Sequence, residues 1–159
     1  MSMTDSGTSG PRFQVAGRIA KPVHEVFEAI VDPDQLSGYF TTGGAAGRLE
    51  TGATVQWEFA DFPGAFPVEV VEVVPDQRIV LRWEAADTSD DQARQTTVTI
   101  ELAPLEDGRT LVTIAEEGWR DTPEGRTAAF GNCEGWTAML IHLKAWIEHG
   151  LTLREGYYV

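Results

Sequence analysis

Alternation of apolar and polar positions is the clearest pattern in the chain, and it predicts strands. In RFQVAGRIAK, residues 12–21, the apolar side chains of Phe13, Val15 and Ile19 share one parity and polar side chains the other, as in a strand with one wet face. Further alternating or valine-rich segments predict five later strands, over Thr54–Ala60, Ala65–Val74, Arg78–Ala85, Gln95–Ala103 and Thr110–Glu116. The connections DFPG, VPDQ and EDGR are short and rich in turn residues, so an antiparallel sheet is expected.

Apolar residues at helical spacing predict three helices. Pro22 suits a first helical turn, and the apolar residues of VHEVFEAIV, residues 23–31, follow at intervals of three and four, which gives a short amphipathic helix. The segment DPDQLSGYF, residues 32–40, predicts one further short turn of helix. The C-terminal stretch Phe130–Leu151 predicts a long helix. Its apolar stripe comprises Trp136, Met139, Leu140, Leu143, Ile147 and Leu151.

The order of these elements predicts an α+β fold in which a curved antiparallel sheet wraps around the long C-terminal helix. Residues 12–159 are predicted to form a single domain, and the small, polar residues 1–11 a disordered lead. Two internal segments are predicted to be flexible. They are the glycine-rich TTGGAAGRLETG, residues 41–52, and the polar ADTSDDQAR, residues 86–94.

Composition narrows the expected partners and compartment. The 159 residues carry a formal net charge of −13, which repels phosphate backbones and anionic headgroups, so nucleic acid is not an expected partner. No apolar run is long enough to span a bilayer, and the first residues do not resemble a signal peptide. A cytoplasmic location without membrane insertion is therefore expected. The single cysteine supplies neither an internal disulfide nor a cluster of thiolates for zinc or iron–sulfur.

Candidate catalytic and metal-binding groups are scattered along the chain. Cys133 and His142 lie about 13 Å apart along the predicted helix axis, too far for a thiol–imidazole pair. His142 and His149 share a helix face that is predicted to lie beside charged residues and off the apolar stripe. The run GGAAG, residues 43–47, lacks the lysine of a phosphate-binding loop. The sequence therefore predicts no catalytic residue, no metal site and no cofactor.

Three segments carry a resemblance to a known family: IAKPVHEVFEAIVDPDQLSGYF, FPVEVVEVVPDQRIVLRWE and EGWTAMLIHLKAWIEHG. In this order they resemble the START-like superfamily, also called SRPBCC, and within it the activator of heat-shock protein 90 ATPase homologue-like family. The resemblance spans about residues 13–153. Phe27 and Tyr39 stand where tryptophan is usual in the family, and both keep an aromatic ring at the position.

The resemblance implies a helix-grip fold, START-like or Bet v 1-like, with a hydrophobic cavity between the sheet and the C-terminal helix. Members of the superfamily bind lipids, polyketides or hormones, and a few catalyse cyclisation. The predicted lining consists of aromatic and apolar residues on the sheet face, on the helix stripe or near the mouth. These residues are Tyr39, Phe40, Trp57, Phe59, Phe66, Trp83, Trp119, Trp136 and Leu140.

Three functions are compatible with this sequence. The first is a binding protein without enzymatic activity that holds a small hydrophobic molecule in the cavity. The second is a chaperone-associated interaction protein, as the name of the resembled family implies, although homology transfers fold and not partner. The third is a cyclase-type or hydrolase-type enzyme that uses the same cavity, with the Tyr39 hydroxyl as the first polar group to test. The sequence does not decide between a monomer and a homodimer.

Overall fold

One antiparallel sheet and three helices make up residues 10–87 and 94–159, the part of the chain that this computed structural model describes. Residues 1–9 of the predicted lead and residues 88–93 of the predicted polar loop lie outside the described residues. The elements follow in the order β1 (Arg12–Ile19), α1 (Val23–Val31), α2 (Pro33–Tyr39), β2 (Gly44–Ala46), β3 (Thr54–Phe59), β4 (Phe62–Val74), β5 (Arg78–Glu84), β6 (Gln95–Pro104), β7 (Thr110–Glu117) and α3 (Pro123–His149).

The sheet has seven strands in the order β1-β7-β6-β5-β4-β3-β2. Each neighbouring pair is antiparallel, and register shifts between Trp57 and Phe59 and between Val70 and Glu72 mark irregularities that bend the strands. Strands β2 to β7 pair in sequence order as a meander, and the last strand, β7, also pairs with the first, β1. The predicted helix-grip fold, a curved sheet around a long C-terminal helix, is confirmed.

The core lies between the concave face of the sheet and α3. Val98 and Ile100 of β6 and Ile114 of β7 are at most 1% exposed, and they belong to one cluster with Met139 and Leu143 of α3. Each such aliphatic side chain contributes roughly 1.5–3 kcal/mol when fully buried. The strand alternation read from the sequence therefore identifies the buried face of the sheet.

Helix α3 begins at Pro123, seven residues before the start predicted from its apolar pattern. The Thr122 side chain accepts a hydrogen bond from the Gly125 N–H, and proline occupies the first turn, which is a favourable helix start. Residues 123–129, PEGRTAA, contain no large apolar side chain, so the apolar pattern alone placed the start too late. The helix ends before Gly150, at φ 66°, and leaves Leu151 outside it and 51% exposed.

The glycine-rich segment predicted to be flexible contributes the edge strand β2, which pairs with β3 from Gly44 to Ala46. The strand consists of glycine and alanine, so it has no alternation of apolar and polar side chains that could reveal it in the sequence. The β3–β4 turn also differs from the DFPG turn predicted from the sequence. Phe59 pairs with Phe62, so the turn lies at residues 60–61 and β4 begins three residues earlier than expected.

Close packing between α2 and α3 depends on Gly38. A methyl group at this position would overlap the ring of Trp146. The same indole donates from Nε1 to Gln35 Oε1 at 3.4 Å and lies 6.2 Å from the ring of Tyr39. The absence of a side chain at Gly38 therefore sets how near α2 approaches the C-terminal part of α3.

We expect Gly38→Ala to destabilise the protein by about 1–3 kcal/mol, because overpacking against Trp146 outweighs the better helix propensity of alanine. Gly131→Ala on α3 is the matched control, since a methyl group there meets no atom within 4 Å, and it should stabilise the protein by roughly 0.5–1 kcal/mol. Urea unfolding followed by tryptophan fluorescence measures both. A Gly38→Ala protein as stable as the unmodified protein would contradict this packing argument.

Candidate functional site

A cavity of about 360 Å³ opens between α3, strands β3 to β5 and the segment after α3. This volume lies within the range of small-molecule sites, roughly 300–1,000 Å³. Six of its fourteen lining residues are Phe, Trp or Tyr, namely Phe40, Phe59, Phe62, Trp83, Trp136 and Tyr158. On the α3 side the lining residues are Gly131, Asn132, Glu134, Gly135, Ala138, Met139 and His142, and Arg154 completes it from the segment after the helix.

The aromatic rings form a continuous contact chain across the cavity wall. Phe40 contacts Phe59 edge to face, with ring centroids 5.1 Å apart, and lies 5.3 Å from Trp136. Trp136 in turn lies 5.6 Å from Trp83. Such pairs stabilise each other beyond their buried area, so the wall is held together by its own contacts.

Behind this wall lies Glu116 of β7, a carboxylate that is 1% exposed. Trp83 Nε1 and Thr96 Oγ1 donate to its Oε2 at 2.8 and 2.6 Å. Trp136 Nε1 donates to its Oε1 at 2.9 Å, and Asn132 Nδ2 reaches both oxygens at 3.1 and 3.0 Å. The carboxylate therefore joins β5, β6 and β7 to α3.

The hydrogen-bond partners of Glu116 indicate that its side chain is ionised. Every group around it donates a hydrogen bond, and an ionised carboxylate accepts only. No Lys, Arg or His of residues 10–87 and 94–159 makes an ion pair with it. Glu116 is thus a buried anion stabilised by uncharged hydrogen-bond donors alone, and the sequence did not predict it as a site residue.

The segment after α3, residues 151–159, is called the C-terminal tail below, and Arg154 anchors it. The guanidinium forms a bidentate pair with Asp61, at 2.6 and 2.9 Å, and the side chains are only 6% and 9% exposed. The Arg154 hydrogen bonds hold the pKa of the Asp61 carboxyl below its usual value. The guanidinium also lies over the rings of Phe59, at 5.7 Å, and Tyr158, at 4.7 Å.

His142 lines the cavity and is 2% exposed, although its helix face was predicted to lie beside charged residues and off the apolar stripe. The tail covers that face, and the ring of Tyr157 meets the imidazole edge to face at 5.0 Å. Burial, and secondarily the charge of Arg154, lower the pKa of His142, so the ring is neutral at neutral pH. Its Nδ1 makes no hydrogen bond to any described residue. His149 is exposed, as predicted.

Four of the predicted lining residues meet at the cavity: Phe40, Phe59, Trp83 and Trp136. Trp57 and Phe66 lie behind them, each in ring contact with Trp83 at 5.9 and 5.8 Å. These two rings support the wall without lining it.

The remaining predicted residues lie elsewhere. Tyr39 is fully buried and its hydroxyl donates to the Ala29 carbonyl at 2.8 Å, and burial raises its pKa. Leu140 packs toward Gly17 of β1. Trp119 belongs to a second small cluster with Ala85 and Ala129. The cavity is thus displaced from the predicted region toward the tail.

Some lining and supporting residues had a signal in the sequence and others had none. Glu116 shares the parity of Val112 and Ile114 in β7, so alternation places its carboxylate inward. Arg154 and Asp61 are separated by 93 positions, and no local pattern connects them. Across the described residues, no three His, Cys, Asp or Glu side chains are grouped to hold a metal ion.

Comparison with known proteins gives relatives of the same fold. SSP2350 from Staphylococcus saprophyticus is 26% identical, with 91% of this chain and 96% of that one covered and a TM-score of 0.72. MLL2253 from Mesorhizobium loti is 20% identical, with 87% and 97% covered and a TM-score of 0.74. Aha1 from Colwellia psychrerythraea, solved as a dimer in solution, is 20% identical, with 88% and 98% covered and a TM-score of 0.72.

No curated protein matches the chain. Within the described part of the sequence, no helix is long and apolar enough to cross a membrane. The model of the family named Activator of Hsp90 ATPase homolog 1-like protein matches residues 20–148, which is well over half of the 159 residues and includes the strands and helices that form the cavity. The chain therefore belongs to the Activator of Hsp90 ATPase homolog 1-like family, within the START-like superfamily.

Proposed function

We propose that this protein binds a small, largely apolar molecule in the cavity between α3 and the sheet. The observation that carries the proposal is the cavity itself, about 360 Å³ in volume and lined by six aromatic rings. Sites for small molecules are concave and mostly apolar, with a few placed polar groups. Here Asn132, His142 and Arg154 are those polar groups, and each lies on the cavity wall.

The walls are held in place before any ligand arrives, which supports the proposal. Glu116 accepts hydrogen bonds from both Trp83 and Trp136, and this orients two of the largest lining rings. The Arg154–Asp61 pair holds the tail across the other side. A preorganised site binds more tightly because less conformational entropy is lost on binding.

The other predicted functions have no comparable support in the geometry. Chaperone association and a cyclase-type or hydrolase-type reaction stay predictions from the family resemblance. The dimeric state of the Colwellia relative is a property of that protein. Homodimerisation of this chain stays a prediction, as does its cytoplasmic location.

The first test uses a substitution that fills the cavity without removing a contact. At Gly135 a Cβ meets no atom within 4 Å, and the residue lines the cavity, so Gly135→Leu should occupy ligand space while the helix forms normally. We expect the unmodified protein to enhance the fluorescence of N-phenyl-1-naphthylamine, a neutral apolar dye. Gly135→Leu should weaken binding of the dye at least about tenfold, equivalent to ~1.4 kcal/mol.

Thr137→Leu is the matched control, because Thr137 is an exposed residue two positions away on the same helix. It should bind the dye like the unmodified protein. If the unmodified protein does not bind the dye, or if both leucine variants bind it equally well, the cavity is not the binding site and the proposal fails.

The second test concerns the preformed wall. Glu116→Gln replaces a carboxylate oxygen by an amide NH₂ that would face hydrogen-bond donors, and we expect a loss of about 1–3 kcal/mol in the free energy of unfolding. Glu117→Gln is the control, since Glu117 is the exposed neighbour whose ion pair with Arg12 spans 3.6 Å, and it should change stability by less than about 0.5 kcal/mol. Equal stability of the two variants in urea unfolding would show that Glu116 does not hold the wall.

A further inference from the structure

We infer that the molecule bound in this cavity is a hydrophobic amine that carries a positive charge, and not a fatty acid or another anion. The inference rests on the proposed function, since it names the chemistry of the ligand of the same site. It follows from an imbalance of charge around the cavity together with the aromatic character of the wall.

The charged groups around the cavity do not cancel. Arg154 and Asp61 form a bidentate pair, and each neutralises the other. Glu116 remains as an anion whose partners are all uncharged donors. Glu134 is exposed, lines the opening and forms no ion pair with any residue in the described ranges. The ligand space therefore lies in a negative field.

The remaining titratable side chains on the wall do not offset this field. His142 is neutral at neutral pH, because burial and the nearby charge of Arg154 lower its pKa. Burial, together with the nearby charge of Glu134, raises the pKa of Tyr158, so its hydroxyl stays protonated and neutral. Arg154, already paired, is the only lining cation within the described residues.

The wall also has the groups that attract organic cations. The faces of aromatic rings carry negative electrostatic potential and bind ammonium and guanidinium groups, most strongly where water is excluded. The structure already contains this interaction, since the Arg154 guanidinium lies over Phe59 and Tyr158. Trp83 and Trp136 add two indole rings nearby.

An anionic ligand would meet the opposite conditions. It would lose hydration on entering an apolar space and would be repelled by Glu116 and Glu134, while Arg154 is already engaged by Asp61. The overall charge of −13 also draws cations toward the protein and slows the approach of anions.

The test compares three ligands with the same naphthalene frame and different charge: 2-naphthylmethylamine, which is protonated at pH 7, 2-naphthylmethanol and 2-naphthoate. Isothermal titration calorimetry on the full-length protein measures each dissociation constant. We expect the ammonium to bind about tenfold more tightly than the alcohol, and the carboxylate to bind at least about tenfold more weakly than the alcohol.

Glu134→Gln tests the role of the charge at the opening, with Glu106→Gln as a control that makes the same change in net charge in the β6–β7 turn. The preference, meaning the ratio of the alcohol and ammonium dissociation constants, should fall about threefold in Glu134→Gln and stay unchanged in Glu106→Gln. An equal fall in both variants would show that no local charge selects the ligand.

The outcomes separate the two proposals. If the alcohol binds and the ammonium binds no better, or if the carboxylate binds most tightly, the inference about charge is overturned while the proposed binding function stands. If none of the three compounds binds and Gly135→Leu changes nothing, both are overturned.

Discussion

The hydrogen bonds to the buried carboxylate of Glu116 are the constraint on which the rest of the site depends. Burying an ionised carboxylate without partners costs far more free energy than any single contact supplies. Such a group is therefore stable only where hydrogen-bond donors surround it. Here the donors come from β5, β6 and α3, and only the native pairing of sheet and helix brings them together. The carboxylate thus specifies how α3 lies on the sheet, and it does so at the wall of the cavity.

The same hydrogen bonds explain why the wall is apolar although it contains indole groups. Trp83 and Trp136 turn their N–H groups toward Glu116, so the parts of these rings that line the cavity are carbon atoms. On the opposite side, Arg154 is held by Asp61 and covers ring faces. The protein itself therefore satisfies the N–H groups of Trp83 and Trp136 and the guanidinium of Arg154. His142 Nδ1 on the wall and Trp57 Nε1 behind it have no hydrogen-bond partner among the described residues.

Much of the fold could be predicted from the sequence, and much of the site could not. Alternation identified the long strands because each buries one face. The lining residues Phe40, Phe59, Trp83 and Trp136 were predicted from the family resemblance together with strand and helix spacing. Alternation also places Glu116 inward, but no local pattern gives the four donors that make an inward anion tolerable. The burial of His142 depends on the tail, whose path depends on a pair 93 residues apart. Such long-range contacts produce no repeating pattern of residues in a sequence.

Two glycines of α3, Gly131 and Gly135, border the cavity where no neighbouring atom requires a glycine. A glycine inside a helix costs roughly 0.5–1 kcal/mol relative to alanine. At Gly38 this cost is explained, because Trp146 leaves no room for a side chain, whereas at Gly131 and Gly135 a Cβ would meet no atom within 4 Å. These two glycines therefore lower stability without allowing a closer approach of any neighbour, and what they leave is volume next to the aromatic wall. A molecule of the proposed kind that filled this volume would supply the contacts that the chain lacks there, and its binding would stabilise the native state by mass action.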